Sequence, residues 1–226
     1  METLHIRPAT VQDVTFLVQS ILDAEASGTD LVSYQRLFEL SDVEMREKFS
    51  NIVREDIEGQ ELCYVNFWIA EINNQPVAAT AAWIEGENGF SSNTIKAQLL
   101  AEYLGMERWR AAQERLKAIS VIDMAREKGT LQLDAIAVVA EQRGKGILQE
   151  LLKIICQNMH VRYPALSKAQ ILLMNNNERA LKAYEKAGFS LVKETRSDDP
   201  ILLTLLPGNG RLLLERHLNP NSLVKK

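Results

Sequence analysis

From Leu131 to Leu218 the sequence switches repeatedly between the hydrophobic period of a strand and that of a helix, and this restricts the fold more than any other feature. Leu131 to Val139 is apolar and partly β-branched, which predicts a strand. Gly144 to Arg162 follows, with Ile147, Leu148, Leu151, Leu152, Ile154, Ile155 and Met159 at helical spacing. Ala169 to Met174 predicts a second strand, Asn177 to Ala187 a second helix and Phe189 to Glu194 a third strand. Gly210 to Leu218 reads as a last strand, and residues 219–226 as a frayed tail. Strands separated by helices imply a βαβ layout, and so a parallel pair within a helix-covered sheet.

The first half reads differently. Leu4 to Arg7 predicts a short strand. Thr10 then caps a helix carrying Val11, Val14, Leu17, Val18, Ile21 and Leu22 toward Gly28. Ser27 to Tyr34 reads as a loop or a broken helix. Ser41-Asp42-Val43-Glu44 fits a capping box, opening a helix to about Ile57. Leu62 to Ile72 and Val77 to Ile84 predict an antiparallel hairpin, turning at Asn73-Asn74-Gln75-Pro76. Residues 92–127 hold Leu99, Leu100, Tyr103, Leu104, Trp109, Leu116 and Ile119 among charged residues, which predicts two helices broken near Gly105. No internal repeat or low-complexity linker divides the chain. The expectation is one domain over residues 1–226, of mixed α/β (α+β) class, with a helical insertion at about 92–127.

Composition excludes several functions. The net charge is -4 with no run of like charges, so the basic footprint of a nucleic-acid binder is absent. Cys63 has no Cys or His nearby and Cys156 has only His160, too few for a Cys/His ligand set, so no metal site is expected. Two thiols in such a chain point to a reducing compartment, and the cytoplasm is the expected location. Met1 to Arg7 lacks the apolar core of a signal peptide. No apolar stretch approaches the roughly 18 residues that a membrane span needs.

The chemistry concentrates at Val138-Val139-Ala140-Glu141-Gln142-Arg143-Gly144-Lys145-Gly146-Ile147-Leu148. A strand runs into a glycine turn and then a helix. The first amides of a helix lack internal partners, and the helix dipole adds partial positive charge there, so the turn suits an anion such as phosphate. Gly144 and Gly146 permit close approach to the backbone, while Arg143 and Lys145 add charge. Two phosphate loops fail on spacing. A P-loop needs Lys after its last Gly, followed by Ser or Thr, and a dinucleotide fingerprint needs Gly where Gln149 stands. A tight turn with solvated charges would look the same.

A second constellation is Asn177-x-x-Ala180-x-x-x-Tyr184-x-x-x-Gly188-Phe189. Helix capping accounts for Asn177 and Gly188. It accounts less well for Tyr184. The two motifs together resemble those of the GNAT superfamily, the GCN5-related N-acetyltransferases. The family's R/Q-x-x-G-x-G/A falls on Arg143, Gly146 and Leu148, with Leu148 in place of a small residue. Its N-x-x-A-x-x-x-Y-x-x-x-G-F is matched in full. The opening Ile6-Arg7-Pro8-Ala9-Thr10 is also similar, so the resemblance covers residues 4–25, 62–85 and 131–218.

The resemblance implies a mixed sheet with a splayed parallel pair, helices on both faces, and acetyl-CoA as co-substrate without a metal. Ile136, Ala137 and Val138 would pair with the pantetheine arm. Amides from Arg143 through Gly144, Lys145, Gly146 and Ile147 to Leu148 would hold the pyrophosphate, and Asn177 would contact the arm from the other side. Leu148 lies on the apolar stripe with Leu151 and Leu152, so its side chain can face the core and leave its amide free. Tyr184 would protonate the departing thiolate. Asp134 would serve as base toward the acceptor amine, with Gln132 on its face and Glu85 as a second candidate. The implied acceptor is an amine on a small molecule or peptide. Specificity is expected from residues 27–34, the insertion with Tyr103 and Trp109, and residues 197–209. A non-catalytic CoA-binding module, or transfer of another acyl group or to a hydroxyl, fits the same motifs. The insertion's amphipathic helices are compatible with a homodimer.

Overall fold

The computed structural model describes residues 3–218; the expected tail at 219–226 lies outside them. In chain order the elements are β1 Leu4–Pro8, α1 Val14–Ala26, α2 Ser33–Phe38, α3 Asp42–Val53, β2 Phe67–Ile72, β3 Gln75–Ile84, α4 Ser92–Leu104, α5 Met106–Ala111 and α6 Gln113–Ser120. These are followed by β4 Leu131–Val138, α7 Ile147–Arg162, β5 Lys168–Met174, α8 Glu178–Lys186, β6 Ser190–Arg196, α9 Leu202–Leu205 and β7 Gly210–His217.

The strands form one seven-stranded sheet in the order β1-β2-β3-β4-β5-β7-β6. Every neighbouring pair is antiparallel except β4 with β5. The β2–β3 hairpin turns on Asn73 and Asn74, both left-handed at φ 52° and 60°, a conformation that Asn tolerates and that matches strand twist. Alternation along the strands feeds two apolar layers. Phe67, Ile69, Ala79, Ala81 and Trp83 face one layer, built with α1, α2, α3 and the insertion. Ala78, Ala82, Leu131, Leu133, Ile171 and Leu214 face the other, built with α7 and α8.

The parallel pair is short. Only Leu131, Gln132 and Leu133 pair with Ala169, Gln170 and Ile171, although both strands run on to Val138 and Met174. Beyond Leu133 the two strands part. Ala135 sits at φ 48°, a left-handed conformation costly for a residue with a Cβ, and the register of β3 against β4 shifts between Ala79 and Ala81. A β-bulge therefore bends β4 where the strands separate.

Three expectations change. The insertion is three helices rather than two, because the chain breaks at Ala112 as well as at Gly105, and residues 121–127 are not helical. Residues 33–38 form α2, where Tyr34, Leu37 and Phe38 become buried. The helix after the glycine turn begins at Ile147 rather than Gly144, because Gly144 and Gly146 take positive φ of 80° and 82°.

Candidate active site

The parting of β4 and β5 opens a cavity of about 1540 Å³. Residues 133–138 and 171–174 form its slot, and α1, α2 and the insertion enclose one end. The glycine turn and α8 enclose the other. The sequence-predicted residues Asp134, Ile136, Ala137, Val138, Arg143, Gly144, Gly146, Ile147, Leu148, Asn177 and Tyr184 all line it. Lys145 is exposed and does not.

At the turn, the amides of residues 144–149 have no acceptor among the described residues. A Cβ built on Gly144 or Gly146 meets open space, so it is the positive φ that requires glycine there. Successive free amides at a helix N-terminus form a concave anion site. Arg143 folds back and donates from Nε to the carbonyl of Val138 at 2.8 Å, which ties the turn to the end of β4. Arg179, Lys182 and Lys186 on α8 add positive charge at this end. Motif reading passed over them because they occupy its variable positions. Leu148 packs against the layer under α7 while its amide stays unpaired, as its place on the apolar stripe predicts. These groups fit a pyrophosphate-bearing ligand.

Asn177 caps α8, its Oδ1 accepting from the amide of Ala180 at 3.0 Å, and its Nδ2 donates to Ser27 Oγ at 3.2 Å. Ser27 ends α1 in the left-handed conformation, so this bond clasps two walls of the cavity. Tyr184 is 7% exposed, and its hydroxyl has no hydrogen-bond partner among the described residues. Burial, with the charge of Asp134 adding, pushes its phenol well above the usual value. It therefore stays protonated at any physiological pH.

The carboxylates differ in how they are held. Asp134 Oδ2 pairs with Arg126, and its Oδ1 accepts from the amide of Ala135 at 2.6 Å. Arg126 also reaches Gln132 Oε1 at 2.8 Å and lies 5.0 Å from the ring of Trp83, so Gln132 and Asp134 do share a face. Glu85 does not line the cavity. Its oxygens accept from Trp83 Nε1 at 3.0 Å and from the amide of Ser92 at 2.9 Å, which locks it into the start of α4. Glu25, near the end of α1, lines the cavity with no hydrogen bond or ion pair among the described residues. Burial, outweighing the nearby Lys96, raises its carboxyl to about 7. No sequence motif marks it, because its distinction comes from pairings made elsewhere around the cavity. Among the described residues, no group of His, Cys, Asp and Glu is placed to hold a metal ion.

The model of the acetyltransferase (GNAT) domain matches residues 80–205, more than half of the chain. The chain belongs to the GNAT acetyltransferase family. Solved structures agree with that fold. A crystal structure described as an acetyltransferase superposes with a TM-score of 0.59 at 16% identity, covering 95% of this chain and 100% of the other. An N-acetyltransferase from Staphylococcus aureus Mu50 gives 0.58 at 18% identity, with 93% and 99% covered. AAC(6')-Ib in complex with ribostamycin and coenzyme A gives 0.54 at 16% identity, with 100% and 99% covered. No curated protein matches the chain. At these identities the likeness concerns the GNAT fold. Among the described residues no helix is long and apolar enough to cross a membrane.

Proposed function

We propose that this GNAT chain is an acetyl-CoA-dependent N-acetyltransferase acting on a primary amine, working as a single domain with residues 92–127 as an insertion. The observation that carries the reading is the run of unpaired amides at residues 144–149, set beside the parted strands β4 and β5. Those amides bind the pyrophosphate, helped by the cations of α8. The edge of β4 at Ile136, Ala137 and Val138 hydrogen-bonds the pantetheine arm. Asn177 faces that arm while its own amide group holds α8 to α1. Lys145, on the exposed side of the turn, contributes its backbone amide.

Bound acetyl-CoA supplies an activated acyl carbon and a thiolate leaving group. The amine forms the new C–N bond as the C–S bond breaks, and Tyr184 gives its phenolic proton to the sulfur. Its raised pKa keeps that proton in place until it is needed. Asp134 was the sequence candidate for the base. With Arg126 and the Ala135 amide on its oxygens, it acts here as a positioning group that fixes the bulge of β4. The likeness of this fold to AAC(6')-Ib, a structure solved in complex with coenzyme A, supports a coenzyme A ligand in this cleft.

Thermal unfolding with and without acetyl-CoA tests the reading. A ligand at 100 times its dissociation constant adds about 2.7 kcal/mol, a clear rise in midpoint. Tyr184→Phe should keep that rise and lose about 100-fold in turnover, measured as free thiol released with an amine. No rise for the unmodified chain would remove the cradle, and undiminished turnover in the variant would remove the acid.

A further inference from the structure

The end of the cavity away from the cradle combines paired charges with apolar walls. Three cations line it, and each already has a carboxylate: Lys96 with Glu61, Arg126 with Asp134, and Arg211 with Asp123, the last at 3.1 Å. Glu25 is left over. Glu61 adds a second observation: it is 6% exposed, its Oε1 is taken by Lys96, and its Oε2 is buried with no hydrogen-bond partner among the described residues. A buried carboxylate oxygen without a donor is costly, and a bound cationic N–H would relieve it. The remaining wall is apolar. Tyr34 and Phe38 stack at 6.5 Å, and Phe38 stacks on Trp109 at 5.8 Å, with Leu37 and Leu100 beside them.

We propose that the acceptor is a primary amine with a single cationic centre on an apolar body, its nitrogen held by Glu25 and the free oxygen of Glu61 and its body lying along Tyr34, Phe38 and Trp109. This rests on the acetyl-transfer reading above and assigns its acceptor class. Glu25, the one lining carboxylate at this end with neither a cation nor a hydrogen-bond donor among the described residues, matches one ammonium. A polyamine or an aminoglycoside would bring further ammonium groups against Lys96, Arg126 and Arg211, whose carboxylates are already engaged.

In the reaction, the ammonium gives its proton to the Glu25 carboxylate and the freed nitrogen attacks the acyl carbon. The thiolate leaves with the proton of Tyr184. As the amide forms, the nitrogen sheds its second proton, which restores the Tyr184 phenol by way of solvent, and Glu25 releases its own proton to solvent, the one net proton of the reaction. The groups facing Glu25 are Tyr34 from α2, Glu61 before β2, Lys96 from α4, Asp134 from β4 and Arg211 from β7. Together with burial they set its carboxyl at about 7, so activity should rise through that pH.

The test measures kcat/KM with acetyl-CoA for 2-phenylethylamine, n-hexylamine, spermidine and kanamycin. The two monoamines should exceed the two polycations by about 10-fold or more, the scale of one unpaired buried charge. Glu25→Gln should lower kcat/KM for 2-phenylethylamine about 30-fold, abolish the acidic limb near pH 7, and leave the acetyl-CoA midpoint rise intact. Preference for spermidine or kanamycin would overturn the assignment, as would an unchanged acidic limb in the variant. So would acetyl-CoA binding with none of the monoamines turned over. Loss of acetyl-CoA binding by the unmodified chain would instead defeat the cradle itself, which separates the two failures.

Discussion

At the scale of single residues, the groups legible in the sequence are those whose role follows from a local pattern. Asn177 and Gly188 mark the ends of α8, and Tyr184 lies about two turns on from Asn177 along the same face, so both line the cavity. Glu25 was not legible. Nothing within ten positions of it explains why it lacks a partner; the explanation lies in Lys96, Arg126 and Arg211, which are paired elsewhere. Its consequence for stability has a definite sign. Burial raises its carboxyl from an ordinary value near 4.5 to about 7, so the folded protein holds this proton more tightly than the unfolded chain does. Stability from this group is therefore greatest at low pH. It declines as pH rises from about 4.5 through about 7 and is level above that. Glu25→Gln should gain in unfolding midpoint relative to the unmodified protein between pH 5 and pH 8. Midpoints of the two proteins moving in parallel over that range would contradict the assignment.

Elements show a different division. The capping box at Ser41 was readable because its two bonds are local: the Glu44 amide donates to Ser41 Oγ at 3.2 Å, and the Ser41 amide donates to Glu44 Oε2 at 3.0 Å. The second break in the insertion was not, because Ala112 carries no breaker signal; it is wholly buried where α5 turns into α6. Helix α2 also escaped, being six residues long and dependent on packing of Tyr34 against Phe49 at 4.8 Å. The start of α7 is where local conformation and ligand binding meet. Gly146→Ala puts a Cβ at φ 82° with no protein contact to compensate, at a cost of about 1–2 kcal/mol. The urea midpoint should fall accordingly, and the midpoint rise given by acetyl-CoA should shrink. Unchanged values of both would show that the turn does not need its left-handed geometry.

Across the whole molecule, strand and helix periods gave the parallel pair, but not the order of the sheet. That β7 lies between β5 and β6 depends on pairings such as Ile171 with Leu214 and Leu191 with Leu214, which no local pattern encodes. The splay likewise depends on the bulge at Ala135, which the apolar run from Leu131 to Val139 does not announce. The splay has a further consequence. Most sheets expose unsatisfied backbone only along their outer strands, whereas here such a border runs through the middle, between β4 and β5 beyond Leu133. A ligand with amide groups of its own can be stitched into that border as a short guest strand. Amide hydrogen exchange should therefore slow at residues 134–138 and 172–174 when acetyl-CoA is added, while β1 and β6, at the outer margins, keep their rates. Uniform slowing over all seven strands would mean general tightening instead. On this view the protein folds a sheet with an unfinished seam, and its substrate is the thread that closes it.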